Sequence, residues 1–150
     1  MDGATPLLGL FLAALAAGSA LPFPSEPALL LVLAGGTDPW LAVLVATLGN
    51  VLGALTVWLI GRALARGGAG WLGPRLAARR GGAEAAREAA RARLRRWGAG
   101  LLLLAWAPWI GDAIVLGAGL VGVRALPFLL LVSAGKLARY AALAWAVSAV

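Results

Sequence analysis

The sequence of 150 residues contains no cysteine and no histidine. Without cysteine there is no disulfide and no thiolate nucleophile, and without histidine the commonest general base and metal ligand is also missing. Ser25, next to Glu26, has no evident base with which to form a catalytic triad. These absences argue against an enzyme, and the sequence predicts neither a metal site nor a cofactor.

Charge is also scarce, because only 13% of the residues are charged and only six are acidic. Apolar residues make up 62% of the chain, and the mean hydropathy is +0.92. A water-soluble domain of this length rarely has such a composition. We therefore expect an all-α integral membrane protein with membrane lipids as its surroundings.

The net charge of +7 is concentrated in a linker, residues 67–98, that lies between two apolar regions. A basic segment can bind nucleic acid, but between spanning segments the positive-inside rule explains it better. We expect a cytoplasmic linker and no nucleic-acid partner. A helix predicted from Ala83 to Trp97 either lies on the anionic inner leaflet or is solvated and only sets the topology.

Two apolar segments are long enough to cross a membrane. The first runs from Trp40 to about Ala65, which is about 39 Å as a helix, and Arg62 lies near its far end, where it can reach headgroups. The second runs from about Pro127 to Val150 and has charged residues near its middle.

Two further apolar regions are interrupted where a simple spanning helix should continue. The predicted interruptions are Pro22, Pro24 and Pro27 in the first region, and Pro108 and Gly111 in the second. Proline blocks a helix, and such breaks occur at membrane depth only where the backbone is buried or lines a wet cavity. We therefore predict two re-entrant helical hairpins.

The N-terminal apolar segment has a second interpretation as a signal peptide, with Gly18-Ser-Ala20 as a small-residue cleavage site. Its first residues, Met1 and Asp2, contain no basic side chain. Cleavage would also remove the first arm of a hairpin that the second half of the chain matches, so we favour the hairpin.

Several residues recur 86 positions apart, which predicts an internal repeat. The matching pairs are Pro22 with Pro108, Glu26 with Asp112, Gly36 with Gly122, and Gly49 with Gly135. We expect one membrane domain, with repeat 1 at about 5–66, the linker at 67–98 and repeat 2 at about 99–150. A cytoplasmic linker gives the two repeats inverted topology, as in secondary transporters.

Four charged residues lie inside these apolar regions: Glu26, Asp112, Lys136 and Arg139. Each costs about 2.5 to 3.5 kcal/mol on insertion scales, so each needs a partner or a wet cavity. In one interpretation Glu26 and Asp112 carry protons, while Lys136, Arg139, Asn50 and Arg62 bind an anionic headgroup or form ion pairs. In the other, the charges are a fixed network that holds the hairpins together.

Gly49 and Gly53 form a GxxxG pattern on the first predicted span. Small residues at this spacing let helices approach closely. The pattern predicts either a homodimer face or close packing of a hairpin helix against the span.

The motifs of this chain resemble the YqaA branch of the DedA superfamily, also called SNARE-associated or VTT-domain membrane proteins. The resemblance covers nearly the whole chain and is carried by these motifs: Phe23-Pro-Ser-Glu-Pro27, Leu48-Gly-Asn50 with Gly53, Ile60-Gly-Arg62, Trp106-Ala-Pro-Trp-Ile-Gly-Asp112 with Gly119, and Gly135-Lys-Leu-Ala-Arg-Tyr140.

This resemblance implies a multi-pass protein of the bacterial inner membrane with two facing re-entrant hairpins and a role in envelope homeostasis. Members are implicated in proton-coupled flippase activity, the movement of undecaprenyl phosphate or phospholipids between leaflets. By position, Glu26 matches the acidic residue of the first hairpin motif and Arg139 a basic residue of the last span. Better-studied members have an arginine-bearing motif in the second hairpin, where this chain has Asp112. A small-solute or ion transporter and a non-transporting membrane scaffold remain the alternatives.

Overall fold

The computed structural model describes residues 4–19, 24–66, 88, 92, 98–107 and 110–148. These residues form α1 (Ala4–Gly18), α2 (Glu26–Ala34), α3 (Pro39–Ala65), a 3₁₀ helix (Gly98–Trp106), α4 (Ile110–Val121) and α5 (Ala125–Ser148). No strand occurs within these ranges. The prediction of an all-α chain is therefore confirmed for the described residues.

The two long helices, α3 and α5, coincide with the two predicted spans. Asp38 caps α3 by accepting a hydrogen bond from the Leu41 amide at 2.8 Å, and Pro39 takes the first helical position, where its missing N–H is not needed. Both helices are long and apolar enough to cross a membrane, by length and composition.

The two interrupted regions are broken as predicted. In the first, α1 ends at Gly18 and α2 begins at Glu26; in the second, the 3₁₀ helix ends at Trp106 and α4 begins at Ile110. Pro24 lies in the non-helical segment before α2. Pro22 and Pro108 lie outside the described residues, so their part in the breaks stays a prediction.

Pro27 and Gly111 were predicted as breaks, and this part of the prediction is wrong. Each lies in the first turn of the helix after the break. Proline is tolerated there because a first-turn N–H has no acceptor within the helix. Gly111 instead permits close packing, because a Cβ atom at this position would meet the backbone of Ala105.

The predicted basic linker and its helix from Ala83 to Trp97 lie almost entirely outside the described residues. Glu88 and Ala92 are described, and both are helical.

The helices α3 and α5 pack antiparallel. Near the middle of α3, Asn50 contacts Lys136 and Tyr140, while towards its end the Trp58 ring stacks on Phe128 with a centroid distance of 5.3 Å. Residue numbers therefore rise along α3 as they fall along α5. This packing brings the beginning of each helix to the end of the other.

The core consists of two hydrophobic clusters. The first-hairpin cluster comprises Leu10, Ala14, Leu29, Val32, Ala42, Val43, Ala46, Tyr140 and Ala144. The second-hairpin cluster comprises Ala54, Val57, Trp58, Leu102, Ala105, Val115, Ala118, Phe128 and Val132.

Many positions of one cluster lie 86 residues from a position of the other. Six such pairs occur: 29 and 115, 32 and 118, 42 and 128, 46 and 132, 54 and 140, and 58 and 144. The turns before the two long helices match in the same way. Gly36 and Gly122 have positive φ angles of 79° and 83°, a conformation that favours glycine.

The GxxxG glycines of α3 pack inside the chain. A Cβ atom at Gly49 would meet the backbone of Phe11, and one at Gly53 would meet the backbone of Leu15 and Gly18. Both glycines thus let α1 lie directly against α3. The GxxxG pattern predicted either a homodimer face or close packing of a hairpin helix, and the structure shows the close packing.

Candidate functional site

Four polar side chains are buried together where the first break meets the middle of α3 and α5. Ser25, Asn50, Lys136 and Tyr140 are 1%, 2%, 5% and 0% exposed. Ser25 immediately precedes α2, Asn50 lies on α3, and Lys136 and Tyr140 are one turn apart on one face of α5. The fold therefore joins three separate parts of the chain at this polar cluster.

Hydrogen bonds connect the four side chains into a single chain. The Ser25 Oγ and Tyr140 Oη atoms are 2.7 Å apart, and the Asn50 Nδ2 donates to Tyr140 Oη at 2.8 Å. The Lys136 Nζ donates to the Asn50 Oδ1. Burial in an apolar bundle strengthens such bonds and makes each missing partner costly.

An ion pair lies directly beside this chain of hydrogen bonds. The Glu26 carboxylate pairs with the Arg139 guanidinium, and Arg139 also donates to the Trp106 carbonyl at 3.2 Å. The Glu26 and Arg139 side chains are 33% and 21% exposed. Arg139 thus links α2 and the 3₁₀ helix to α5 while remaining accessible.

Asp112, the second predicted acid, lies in the first turn of α4. Its carboxylate interacts electrostatically with the Lys136 ammonium. Among the described residues, Glu26 lies within ion-pair distance of Arg139. Asp112 and Lys136, which the structure also describes, do not lie within ion-pair distance of each other. The structure therefore brings five of the six predicted site residues together: Glu26, Asn50, Asp112, Lys136 and Arg139.

Arg62 was predicted with this group, and the structure places it elsewhere. Three turns beyond Asn50, or about 18 Å along the helix, Arg62 donates to the Val123 carbonyl at 3.2 Å. Its guanidinium also lies 4.7 Å from the centre of the Trp58 ring. Arg62 lies at the other end of α3 from the first break, and its headgroup or ion-pair role stays a prediction.

Tyr140 and Ser25 were not among the predicted site residues. Tyr140 is the only tyrosine in the chain, and it follows Lys136 by four positions, which puts both on one helix face. That spacing could have indicated Tyr140. Ser25 gives no comparable signal, because its partner is 115 positions away.

The polar cluster contains one buried cation, Lys136. The Lys136 ammonium has three N–H groups, and Asn50 Oδ1 is its one hydrogen-bond acceptor within the described part of the chain. In the same part of the chain, no group of three or more His, Cys, Asp or Glu residues is placed to hold a metal ion. Buried cationic donors of this kind suit an anion.

The chain matches the family model of the VTT domain over residues 23–149. It is 35% identical over 146 residues to the Inner membrane protein YqaA of Escherichia coli, covering 96% of this chain and 92% of that protein. An uncharacterized protein of Haemophilus influenzae is 32% identical over 148 residues, covering 93% of this chain and 86% of that protein. The chain belongs to the VTT-domain family. The resemblance to the YqaA branch of the DedA superfamily is confirmed, and no solved structure matches this VTT-domain chain.

Proposed function

We propose that this VTT-domain protein is a transporter that moves an anionic lipid, a polyprenyl phosphate or a phospholipid, across the bacterial inner membrane in a proton-coupled step. This activity would support homeostasis of the cell envelope. The observation that carries the proposal is the accessible Glu26–Arg139 ion pair beside a buried Lys136, whose one hydrogen-bond acceptor among the described residues is Asn50. The inner-membrane location is supported by the name of the Escherichia coli relative.

The proposed architecture is a pair of inverted repeats, each a re-entrant hairpin followed by a spanning helix. It is supported by the six matched core pairs and by the two positive-φ glycines. The antiparallel packing of α3 and α5 also supports it, as does the contact between Asn50 and Lys136, which are 86 residues apart. In this architecture the linker is cytoplasmic, and the two breaks meet between the spanning helices.

The proposed coupling depends on competition for Arg139. The Arg139 guanidinium can pair with the Glu26 carboxylate or with a phosphate, and in this proposal the two anions compete for the edge that Glu26 now contacts. A proton on Glu26 removes the carboxylate charge and releases Arg139 for a headgroup. Loss of that proton restores the ion pair and expels the headgroup. Asp112 on the second hairpin and Lys136 on α5 act as a second acid and cation.

A fixed network that only holds the hairpins together is the main alternative. Such a network needs every buried charge to be fully partnered. Here Glu26 and Arg139 remain 33% and 21% exposed, and Lys136 has one hydrogen-bond acceptor among the described residues. These features favour exchange over a permanent structural pair.

The test measures lipid movement in proteoliposomes with an imposed pH gradient, using a labelled polyprenyl phosphate and a labelled phospholipid. We expect gradient-dependent movement by the wild-type protein and its loss in Glu26→Gln and Asp112→Asn. Asp38→Asn is the matched control, because Asp38 is exposed and asparagine caps a helix as well as aspartate does.

Folded wild-type protein that moves neither lipid would contradict the proposal for these substrates and favour a small-solute transporter or a scaffold. Full activity in both acid variants would contradict the proton coupling. Loss of folded protein in both variants, judged by size-exclusion profile, would favour the fixed network.

A further inference from the structure

The direction of each hydrogen bond in the buried chain follows from the chemistry of its members. Lysine can only donate, so the Asn50 side-chain atom that faces Lys136 is the amide oxygen. The amide nitrogen of Asn50 then faces Tyr140 and donates to its hydroxyl oxygen at 2.8 Å. The Lys136 charge thereby sets the orientation of the Asn50 amide.

The Tyr140 hydroxyl also contacts the Ser25 hydroxyl. The Ser25 Oγ and Tyr140 Oη atoms are 2.7 Å apart, and either hydroxyl can donate in this contact, so it uses one of their two protons. The other proton has no acceptor among the residues that the structure describes. With Ser25 and Tyr140 1% and 0% exposed, the pair holds one buried donor without an acceptor in the described ranges.

The Ser25–Tyr140 hydroxyl pair lies beside the Glu26–Arg139 ion pair. Ser25 adjoins Glu26 in sequence, and Tyr140 adjoins Arg139, so the Ser25–Tyr140 and Glu26–Arg139 contacts are neighbours between the same two parts of the chain. Ser25 is the N-cap residue of α2, but its side chain makes no capping hydrogen bond. When Tyr140 donates to Ser25, the Ser25 proton has no acceptor among the described residues and is available to a ligand near the Arg139 guanidinium.

We propose that the Ser25 hydroxyl binds a phosphate oxygen of the transported headgroup together with Arg139, and that Tyr140 is the positioning residue that orients Ser25 as a donor. The ligand class is a phosphate ester, whose oxygens only accept hydrogen bonds and carry negative charge. The lipid origin of this phosphate rests on the proposed function, whereas the binding site itself does not.

The test is equilibrium binding to the purified full chain in detergent, with a polyprenyl phosphate, phosphatidylglycerol and inorganic phosphate as probes. Ser25→Ala should weaken binding about ten- to one-hundred-fold, because it removes a hydrogen bond to a charged group. Ser25→Thr keeps the hydroxyl and should bind within about threefold of wild type. Ser133→Ala, which removes an α5 hydroxyl outside the network, is the matched control.

Tyr140→Phe tests the positioning role. It keeps the ring but releases the Ser25 proton, and should weaken binding about three- to tenfold. If Tyr140 acts only through Ser25, the same change should have no further effect in the Ser25→Ala background, since the two residues form one unit. A purely structural role of Tyr140 would weaken binding equally in both backgrounds.

Three results would overturn the inference: no binding of any probe by wild type, wild-type affinity in Ser25→Ala, or an additive loss in the double variant. Ser25-dependent binding of inorganic phosphate alone would support the site and identify a free phosphate as its ligand. Ser25-dependent lipid binding by a protein that moves no lipid would support the site and contradict the proposed transport.

Discussion

The two hydrophobic clusters occupy matching positions but are packed differently. In the second-hairpin cluster Trp58 stacks on Phe128. The positions 86 residues away in the first-hairpin cluster are Ala144 and Ala42. Conversely, Tyr140 and its hydrogen bonds lie in the first cluster, where the second has only Ala54.

A cavity of about 490 Å³ adjoins the first-hairpin cluster, on the side where the aromatic pair is missing. Its lining residues are Pro39, Trp40, Val43, Ala141, Ala142, Ala144 and Trp145. Trp58 and Phe128 occupy the second-hairpin cluster at the positions where the first has two alanines, and the first-hairpin cluster holds Tyr140 of the polar site. We infer that the second cluster supplies stability, while the first accepts weaker packing in exchange for function.

The largest expected effect comes from emptying the well-packed cluster. Trp58→Ala should lower the free energy of unfolding by about 3 to 5 kcal/mol, because it leaves a cavity next to Phe128. Thermal unfolding in detergent measures this. Trp145→Ala is the matched control, since Trp145 is 75% exposed, and it should change the stability by less than about 0.5 kcal/mol. Equal effects of the two changes would contradict the assignment of stability to the second cluster.

A smaller effect is expected where α1 meets the first-hairpin cluster. Gly53→Ala should cost about 1 to 3 kcal/mol, because the added Cβ would meet the backbone of Leu15 and Gly18. Gly9→Ala is the control, as a Cβ there meets nothing within 4 Å, and it should be neutral or stabilise α1 by up to about 1 kcal/mol. Light scattering measures the oligomeric state, and so distinguishes a homodimer face from close packing of α1 against α3. A shift from dimer to monomer in Gly53→Ala without loss of stability would favour a dimer face.

The smallest effect on stability is expected at the polar site itself. Lys136→Met keeps the length of the side chain and removes a buried charge, a gain that offsets part of the cost of leaving the Asn50 Oδ1 atom without its donor. We expect the free energy of unfolding to fall by no more than about 1 kcal/mol, together with loss of anionic-lipid binding. A fall in stability as large as that of Trp58→Ala would indicate a structural role for Lys136.

The sequence predicted much of the fold because its signals are local. A continuous apolar run indicates a long helix, and a proline cluster indicates a break, so α3, α5 and the two interruptions were predicted from short windows. Pro27 and Gly111 were misassigned because a proline or glycine that begins a helix looks the same in sequence as one that ends a helix.

The candidate site was predicted less completely. Four charged residues were identified because charge in an apolar segment is costly and therefore conspicuous. Asn50 was found only as the repeat-related position of Lys136. Arg62, at the far end of the span in the sequence, also lies apart from the others in the structure.

The sequence alone was enough to establish the class of protein, the long helices and the acids and cations that lie among apolar residues, because each of these depends on composition or on neighbours along the chain. Which cation meets which acid, and the hydrogen bonds from Ser25 to Tyr140 and on to Asn50 and Lys136, depend on residues up to 115 positions apart. Such contacts form only when α2, α3 and α5 pack together. No local pattern specifies them, because their geometry is set by how all the helices share one core.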